Sequence, residues 1–545
     1  MIDEPDEKRV VALAKQIAEL GGRTKAGAYE MSLTTRLMMR FAMRLPQFQT
    51  QLFRFVDVFP AMADQDDTAR HIAEYFEGPA APRLVTTAVK ATSKMPGGNR
   101  IAARVAGREI RKMAGQFIVG TNPAEASRSL ATMWRHDTAA VIDLLGEHTL
   151  SHSEADVYAA RLTDLVETLL TESERWSPSD RLERDDRGQL PRVAVSIKPT
   201  ALAPDFRPLT GDAGIQTAKD RLRPILAIAA HRGAQVWFDM ERYETNELTN
   251  RLFRELLEEP GLERLHAGIV VQGYLRDSAE ELMSIIDWAS SRPVPIAVRL
   301  VKGAYWDTET IVAEAADWPA PVYEHKAETD LNYERCIRIL HSYHDQVRAA
   351  FASHNLRSLA YAIESARAAG IPDNGYEIQL LFGMAEPVHE AVRRLGCRLR
   401  VYAPIGELVP GMAYLVRRLL ENTSQDSFVR NRFAEGKDLD ALLAKPKIPP
   451  AVAERSERAG QPPPAAKPGE AAYHPEPLAE WFRPAVRRSM AGAVSAFSAP
   501  TGSPPRPGVP ASPLFRIGQY VPARIAGKDV STSRSITSVN PADPA

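Results

Sequence analysis

Cysteine is nearly absent: the 545 residues contain two, Cys336 and Cys397. They lie far apart and form neither CxxC nor CxxxC spacing, which excludes a disulfide framework and a cysteine zinc site and points to a reducing, cytoplasmic compartment. No apolar run reaches the ~18 residues of a membrane span, so any membrane contact is expected to be peripheral, at the inner face. The opening MIDEPDEKRVVALAKQ lacks the basic segment and apolar core of a signal peptide. An excess of one charge is missing too. Lys+Arg 68 against Asp+Glu 69 leaves a formal net charge of -1, so no global field favours a polyanion, and nucleic acid is not an expected partner. No GxGxxG follows an apolar run, and GxxxxGK[ST] and GxSxG do not occur, which disfavours Rossmann, P-loop and nucleophile-elbow chemistry. No metal site is expected. His148 and His152 have helical ligand spacing, but Ser151 and Glu154 place a helix start between them.

Against these absences, 44% hydrophobic and 25% charged residues describe a globular protein with a large core. Residues 6–185 read as helical, with three- and four-residue apolar spacing in VVALAKQIAEL, TRLMMRFAMRL and SLATMWRHDTAAVIDLLGE. From about residue 190, short apolar runs alternate with helical stretches: RVAVSIK, AQVWFDM, AGIVVQGY, PIAVRLVK, RAAFASHN, YEIQLLFG and LRVYAPIG. Near-continuously apolar strands alternating with helices predict a parallel sheet covered on both faces, and seven such units fit a (β/α)8 barrel. FVRNRFA is a poor eighth strand, so irregular closure is expected. Four segments follow: a helical arm with linker helices over 1–185, the barrel over 186–436, a linker over 437–513, and an incomplete domain start over 514–545. The linker is proline-rich: residues 446–513 hold 16 of the 41 prolines.

In such a barrel the site lies at the C-terminal strand ends. The apolar runs there close on Lys198, Asp239, Gln272, Arg299 with Lys302, His354 with Asn355, Gln379 and Tyr402. Seven strands ending in large polar groups are costly to bury without a ligand. The following helix places Tyr414, Arg417, Arg418 and Glu421 on one face. Two adjacent guanidiniums suit a substrate carboxylate, although by spacing alone an exposed Arg417–Glu421 pair is the default reading. In RLVKGAYWD, Gly303 allows close backbone approach, Arg299 and Lys302 carry charge, and Tyr305 and Trp306 are flat, as a planar phosphate-bearing cofactor requires.

These residues resemble the proline dehydrogenase family, in particular the flavin half of bifunctional bacterial proline utilisation enzymes. The resemblance rests on VSIKPTAL, VWFDME, VVQGYL, RLVKGAYWD, ASHN, YEIQLLFGMAE, YAPIG and AYLVRRLLENT, in that order, with FRFVDVFPA and DLLGE matching the preceding arm. It implies a distorted (β/α)8 barrel that binds FAD and oxidises L-proline to Δ1-pyrroline-5-carboxylate, hydride passing from proline C5 to flavin N5 and electrons to a membrane quinone. By the same resemblance, Lys198, Arg417 and Arg418 would hold the proline carboxylate, and Leu300, Tyr305, Tyr402 and Tyr414 would wall its ring. Asp239, Arg299 and Tyr402 would form the catalytic set, with Glu147 as a gate. Flavin contacts would come from Met240, Gln272, Arg299, Val301, Lys302, Gly303, Ala304, Trp306, His354, Asn355, Gln379, Glu421 and Ser424.

The resemblance has limits. No DNA-binding ribbon-helix-helix segment precedes the arm, so autorepression is not implied. TSVNPADPA looks like the first residues of an aldehyde dehydrogenase domain, and neither cysteine is placed as its nucleophile, so that second activity is not expected in this chain. Two other readings stay open: a Schiff-base lyase using Lys198 or Lys302, and a scaffold or binding module without turnover.

Overall fold

The computed structural model describes residues 1–22, 45–93, 95, 98–146, 148–407, 438–449, 477–497, 523–525 and 528–530. The chain divides into two units, Met1–Leu478 and Ala479–Ala545. The smaller contains the helix Pro484–Phe497 and an antiparallel hairpin, Ala523–Ile525 with Lys528–Val530.

In the larger unit, α1 (Glu7–Gly22) precedes four arm helices: α2 (Pro46–Val58), α3 (Gln65–Phe76), α4 (Arg83–Ser93) and α5 (Gly98–Gly115). The arm has its own core, in which Phe55 meets Phe76 edge-on at 5.2 Å and Phe48, Ile72 and Ile110 join them. Asp64 caps α3 by accepting from the amides of Asp66 and Asp67. Helix α1 instead buries Val10, Leu13, Ala14 and Ile17, an i, i+3, i+4, i+7 stripe, in the barrel's outer apolar layer.

Eight parallel strands close the barrel: β1 (Ala139–Leu144), β2 (Ala194–Ile197), β3 (Gln235–Phe238), β4 (His266–Gln272), β5 (Ile296–Val301), β6 (Val347–Ala352), β7 (Glu377–Leu381) and β8 (Arg398–Ile405). All seven runs read as strands are strands. Closure differs from the expectation, because β1 lies inside a segment read as helical and pairs with both β8 and β2. The expected eighth strand, FVRNRFA, lies outside the described residues, and the eight described strands already form a closed ring. The physical reason is local. Helix α6 (Pro123–Arg135) is capped by His136, Asp137 then takes a left-handed backbone with φ 53°, and AAVIDL runs extended. A short apolar run buried on both faces has no periodicity that separates strand from helix.

Period 2 sorts the barrel into two faces. Val195, Val236, Ile269, Val298, Leu300, Phe351, Ile378 and Val401 point outward into the apolar layer beneath the helices. The inward face combines an apolar cluster of Val141, Ala194, Trp237, Ala297 and Ala350 with buried polar and charged side chains. Near the strand starts, Arg348 pairs with Asp185 at 2.6 Å. Higher up, Glu377 receives Arg398 at 3.2 Å and Arg400 at 2.9 Å, and Arg400 also donates to the Ala140 carbonyl at 3.0 Å. Burial opposes the Glu377 charge, but Arg400 and Arg398 outweigh it and hold its pKa below the ordinary 4.5.

A carboxyl held down in the folded state contributes stability above its unfolded pKa and loses it as pH falls through the folded one. Glu377→Gln leaves two buried guanidiniums without a counter-charge and is expected to cost about 3–5 kcal/mol in urea unfolding at neutral pH. The gap between variant and parent should narrow below pH 4.5. Parallel stability curves across that range would show that Glu377 does not carry the charge balance.

Candidate active site

The strand ends bring inward-facing side chains into one buried cluster centred on Arg299, which is 3% exposed. Its Nη1 lies 2.7 Å from Asp239 Oδ1, and its Nε donates to Gln379 Oε1 at 2.6 Å. Asp239 also accepts from Ser196 Oγ at 3.1 Å and from the Tyr402 hydroxyl at 2.7 Å. The guanidinium stacks 4.5 Å over the Trp237 ring and 5.3 Å from the Tyr402 ring. Space for Trp237 comes from Gly268, its register partner on β4, where a Cβ would stand 2.3 Å from the indole. Burial, with Asp143 and Asp239 nearby, pushes the Tyr402 phenol well above its usual range and keeps it a hydrogen-bond donor.

At the mouth, Lys198 forms a buried ion pair with Asp143. Burial works against the ammonium, yet Asp143, Tyr158 and Asp239 outweigh it and raise the Lys198 pKa. Gln272 donates to the Glu241 carbonyl at 3.0 Å, while its Oε1 is buried with no hydrogen-bond partner among the described residues. Thr200 donates to Glu241 at 2.5 Å. Lys302 pairs with Asp330, which also pairs with Lys326. Burial opposes the Asp330 charge, but the two ammonium groups hold its pKa down.

Beyond β5 the chain turns at Gly303 with φ +126°, and a Cβ there would lie 2.4 Å from the Tyr274 ring. Tyr305 is the N-cap residue of the helix Trp306–Ala316. Trp306 is exposed and donates through its indole to the Tyr323 carbonyl at 2.8 Å. Val301 ends β5 half-buried, and Ala304 is exposed. His354 Nε2 accepts from the Leu381 amide at 3.2 Å, tying the ends of β6 and β7 together. Asn355 caps the helix Leu356–Ala368 through the Ser358 amide at 3.2 Å.

The structure thus gathers Lys198, Asp239, Gln272, Arg299, Lys302, His354, Gln379 and Tyr402 at the strand ends. Two expected members lie elsewhere. Leu300 is 0% exposed in the outer apolar layer, because period 2 turns it away from Arg299, and this corrects its assignment to the substrate wall. The Met240 side chain is buried in the same apolar cluster. Glu147, Tyr414, Arg417, Arg418, Glu421 and Ser424 lie outside the described residues. Asp143 and Asp330 were missed. The rule that found the other strand ends, a polar residue closing an apolar run, applies to AAVIDL as well; only the helical reading of that segment hid Asp143.

A closed parallel barrel with a buried, fully partnered arginine at its C-terminal mouth has the architecture of a (β/α)8 enzyme site. The proline dehydrogenase family model matches residues 126–431, and the model of the proline utilization A N-terminal domain matches residues 7–117. The first match covers more than half of the chain, and the chain belongs to the proline dehydrogenase family. It is 31% identical over 346 residues to the bifunctional protein PutA of Klebsiella aerogenes, covering 62% of this chain and 25% of that protein. It is 26% identical over 337 residues to the proline dehydrogenase of Deinococcus radiodurans, covering 61% of this chain and 94% of that protein. Among solved structures, proline utilization A (PutA) from Bdellovibrio bacteriovorus inactivated by N-propargylglycine matches with a TM-score of 0.83 and 35% identity, over 100% of this chain and 52% of that one. The chain therefore spans a quarter to a half of the length of these PutA relatives.

Gly303→Ala tests the turn that shapes the mouth. A side chain at that φ is strained and collides with Tyr274, so unfolding stability should fall by about 1–3 kcal/mol. A loss under a few tenths would mean that the turn accommodates a Cβ.

Proposed function

We propose that this chain is a flavin-dependent proline dehydrogenase that oxidises L-proline to Δ1-pyrroline-5-carboxylate and passes electrons to a quinone. The observation that carries the reading is the mouth itself, where Arg299, held by Asp239, lies against the Tyr402 ring that Asp239 also binds, and where Lys198 is held by Asp143. Family membership supports it independently.

The residues present fit FAD. Gln272 Oε1 is a buried acceptor in need of a donor, and Arg299 and Lys302 offer positive charge. They would hold the cofactor together with His354, Asn355 and Gln379, and bound FAD would supply the two-electron acceptor. The chain's own residues do the rest. Lys198 binds the substrate carboxylate, joined in this reading by Arg417 and Arg418. Tyr402 presents a flat wall to the ring. Arg299 is held by Asp239 and Gln379 before any substrate arrives, so its charge needs no reorganisation when negative charge develops nearby. A Schiff-base reading needs a neutral amine: at Lys198 the Asp143 ion pair opposes it and the pKa is raised, whereas at Lys302 burial lowers the pKa in spite of the ion pair with Asp330.

Arg417→Met or Arg418→Met should raise the proline KM at least tenfold, as expected when a charge-assisted hydrogen bond worth about 1.5–3 kcal/mol is lost. An unchanged KM in both variants would remove them from the site.

The quinone implies a membrane surface, and one feature favours docking to anionic lipid. No helix among the described residues is long and apolar enough to cross a membrane. Between Pro79 and Phe117, however, eight Lys and Arg residues face a single acid, Glu109, in a chain of net charge -1. This stretch exposes Leu84 (59%) on α4, Met95 between the two helices, and Ile101 (58%) and Val105 on α5, beside Arg104 and Arg108, which form no ion pair among the described residues. Cations interleaved with exposed apolar side chains suit an anionic lipid interface. Each basic residue contributes about 1 kcal/mol there, so Arg104→Glu with Arg108→Glu should reduce cosedimentation with phosphatidylglycerol vesicles at least tenfold. Equal pelleting of parent and double variant would sink this surface.

A further inference from the structure

We propose that Asp143 is a positioning residue of the substrate site: it orients the Lys198 ammonium at the barrel mouth and sets the pH range over which that lysine binds the substrate carboxylate. This inference rests on the proline dehydrogenase reading.

Asp143 is the penultimate residue of β1 and faces the barrel interior, in register with Ser196 on β2. Lys198 immediately follows β2 on the same inward face, so the strand pairing places the carboxylate one residue pair below the ammonium. Both side chains are buried. Buried lysine without a counter-charge loses its proton, since its charged form cannot be solvated.

The groups that face Lys198 come from three elements: Asp143 on β1, Tyr158 on the helix His152–Ser173, and Asp239 and Glu241 at the end of β3. Three of the four are committed elsewhere. The Tyr158 hydroxyl donates to the Leu144 carbonyl at 2.9 Å. Asp239 is shared among Arg299, Ser196 and Tyr402, and Glu241 accepts from Thr200. Among the described residues, Asp143 is thus the single hydrogen-bond partner of Lys198. An ammonium carries three N–H donors, so this pairing leaves two for a second anion while fixing the direction of the third. A buried pair of this kind also fits a strut that merely joins β1 to β2. The two roles separate on pH, because a strut has no effect on how ligand binding titrates.

The test uses the flavin-loaded protein and cyclopentanecarboxylate, which has the substrate's carboxylate but no titrating ring nitrogen. Its Kd is measured by calorimetry from pH 6 to 9, alongside the proline KM and kcat. Asp143→Asn keeps the size and one oxygen but removes the charge. Its Kd relative to the parent should be within a few-fold at pH 6 and rise at least tenfold by pH 9, as Lys198 loses its proton. In the double variant Asp143→Asn with Lys198→Arg, the permanently charged guanidinium should flatten that rise. Asp143→Ser, which admits water, carries the same test should the asparagine variant not fold. A ratio that does not change with pH in a variant that still binds overturns the positioning role and leaves a strut. A parent protein that neither binds the probe nor oxidises proline overturns the proline reading itself, and the inference with it.

Discussion

A guanidinium buried inside a barrel is tolerable only if its charge and its donors are met, and Arg299 imposes that condition on its surroundings. Asp239 supplies the counter-charge, Gln379 takes the Nε proton, and Trp237 offers an aromatic face. Each requirement then propagates. Asp239 needs further donors and finds Ser196 and Tyr402. Trp237 needs room beside β4, which only glycine at 268 provides. One buried charge therefore dictates residue types at six positions on five other strands or their ends.

The same logic runs down the barrel. Asp185 with Arg348, then Glu377 with Arg398 and Arg400, then the Arg299 cluster, then Asp143 with Lys198, form a succession of ion pairs between the strand starts and the mouth. Most apolar packing lies on the outward face, where the strands meet their helices and α1, with a smaller cluster around Trp237 inside the barrel. Such an interior is a poor source of net stability, because desolvation consumes most of the Coulomb attraction. What it provides is rigidity: every member is held by its partners before a ligand arrives, which is the arrangement that favours charge stabilisation in a reaction.

Outside the barrel, Arg357 shows how distant segments are tied to the same frame. It is buried on the helix Leu356–Ala368 and bridges Glu334 at 2.8 Å and Glu7 at 2.5 Å, and it also donates to the Leu443 carbonyl at 3.0 Å. A single side chain thus links the first helix, two barrel helices and a segment beyond residue 438. Asn355, at the mouth, caps the same helix, so the anchor of α1 and one edge of the site share a rigid element.

Much of this was legible in the residues alone. Seven strands could be read because parallel strands buried on both faces are continuous apolar runs, and their polar closing residues pointed to the mouth because buried polarity demands a purpose. Asp239, Arg299, Gln379 and Tyr402 were found that way. Leu300 was misplaced because a family motif names neighbours without regard to strand parity, and Asp143 was missed because AAVIDL has no period of its own. The sequence by itself determined the alternation of strand and helix and the chemistry available at each strand end. Only the tertiary structure decided which strand closes the ring, which face each side chain takes, and which carboxylate meets which cation, since these depend on register between segments as far apart as Asp143 and Lys198, or Arg299 and Gln379.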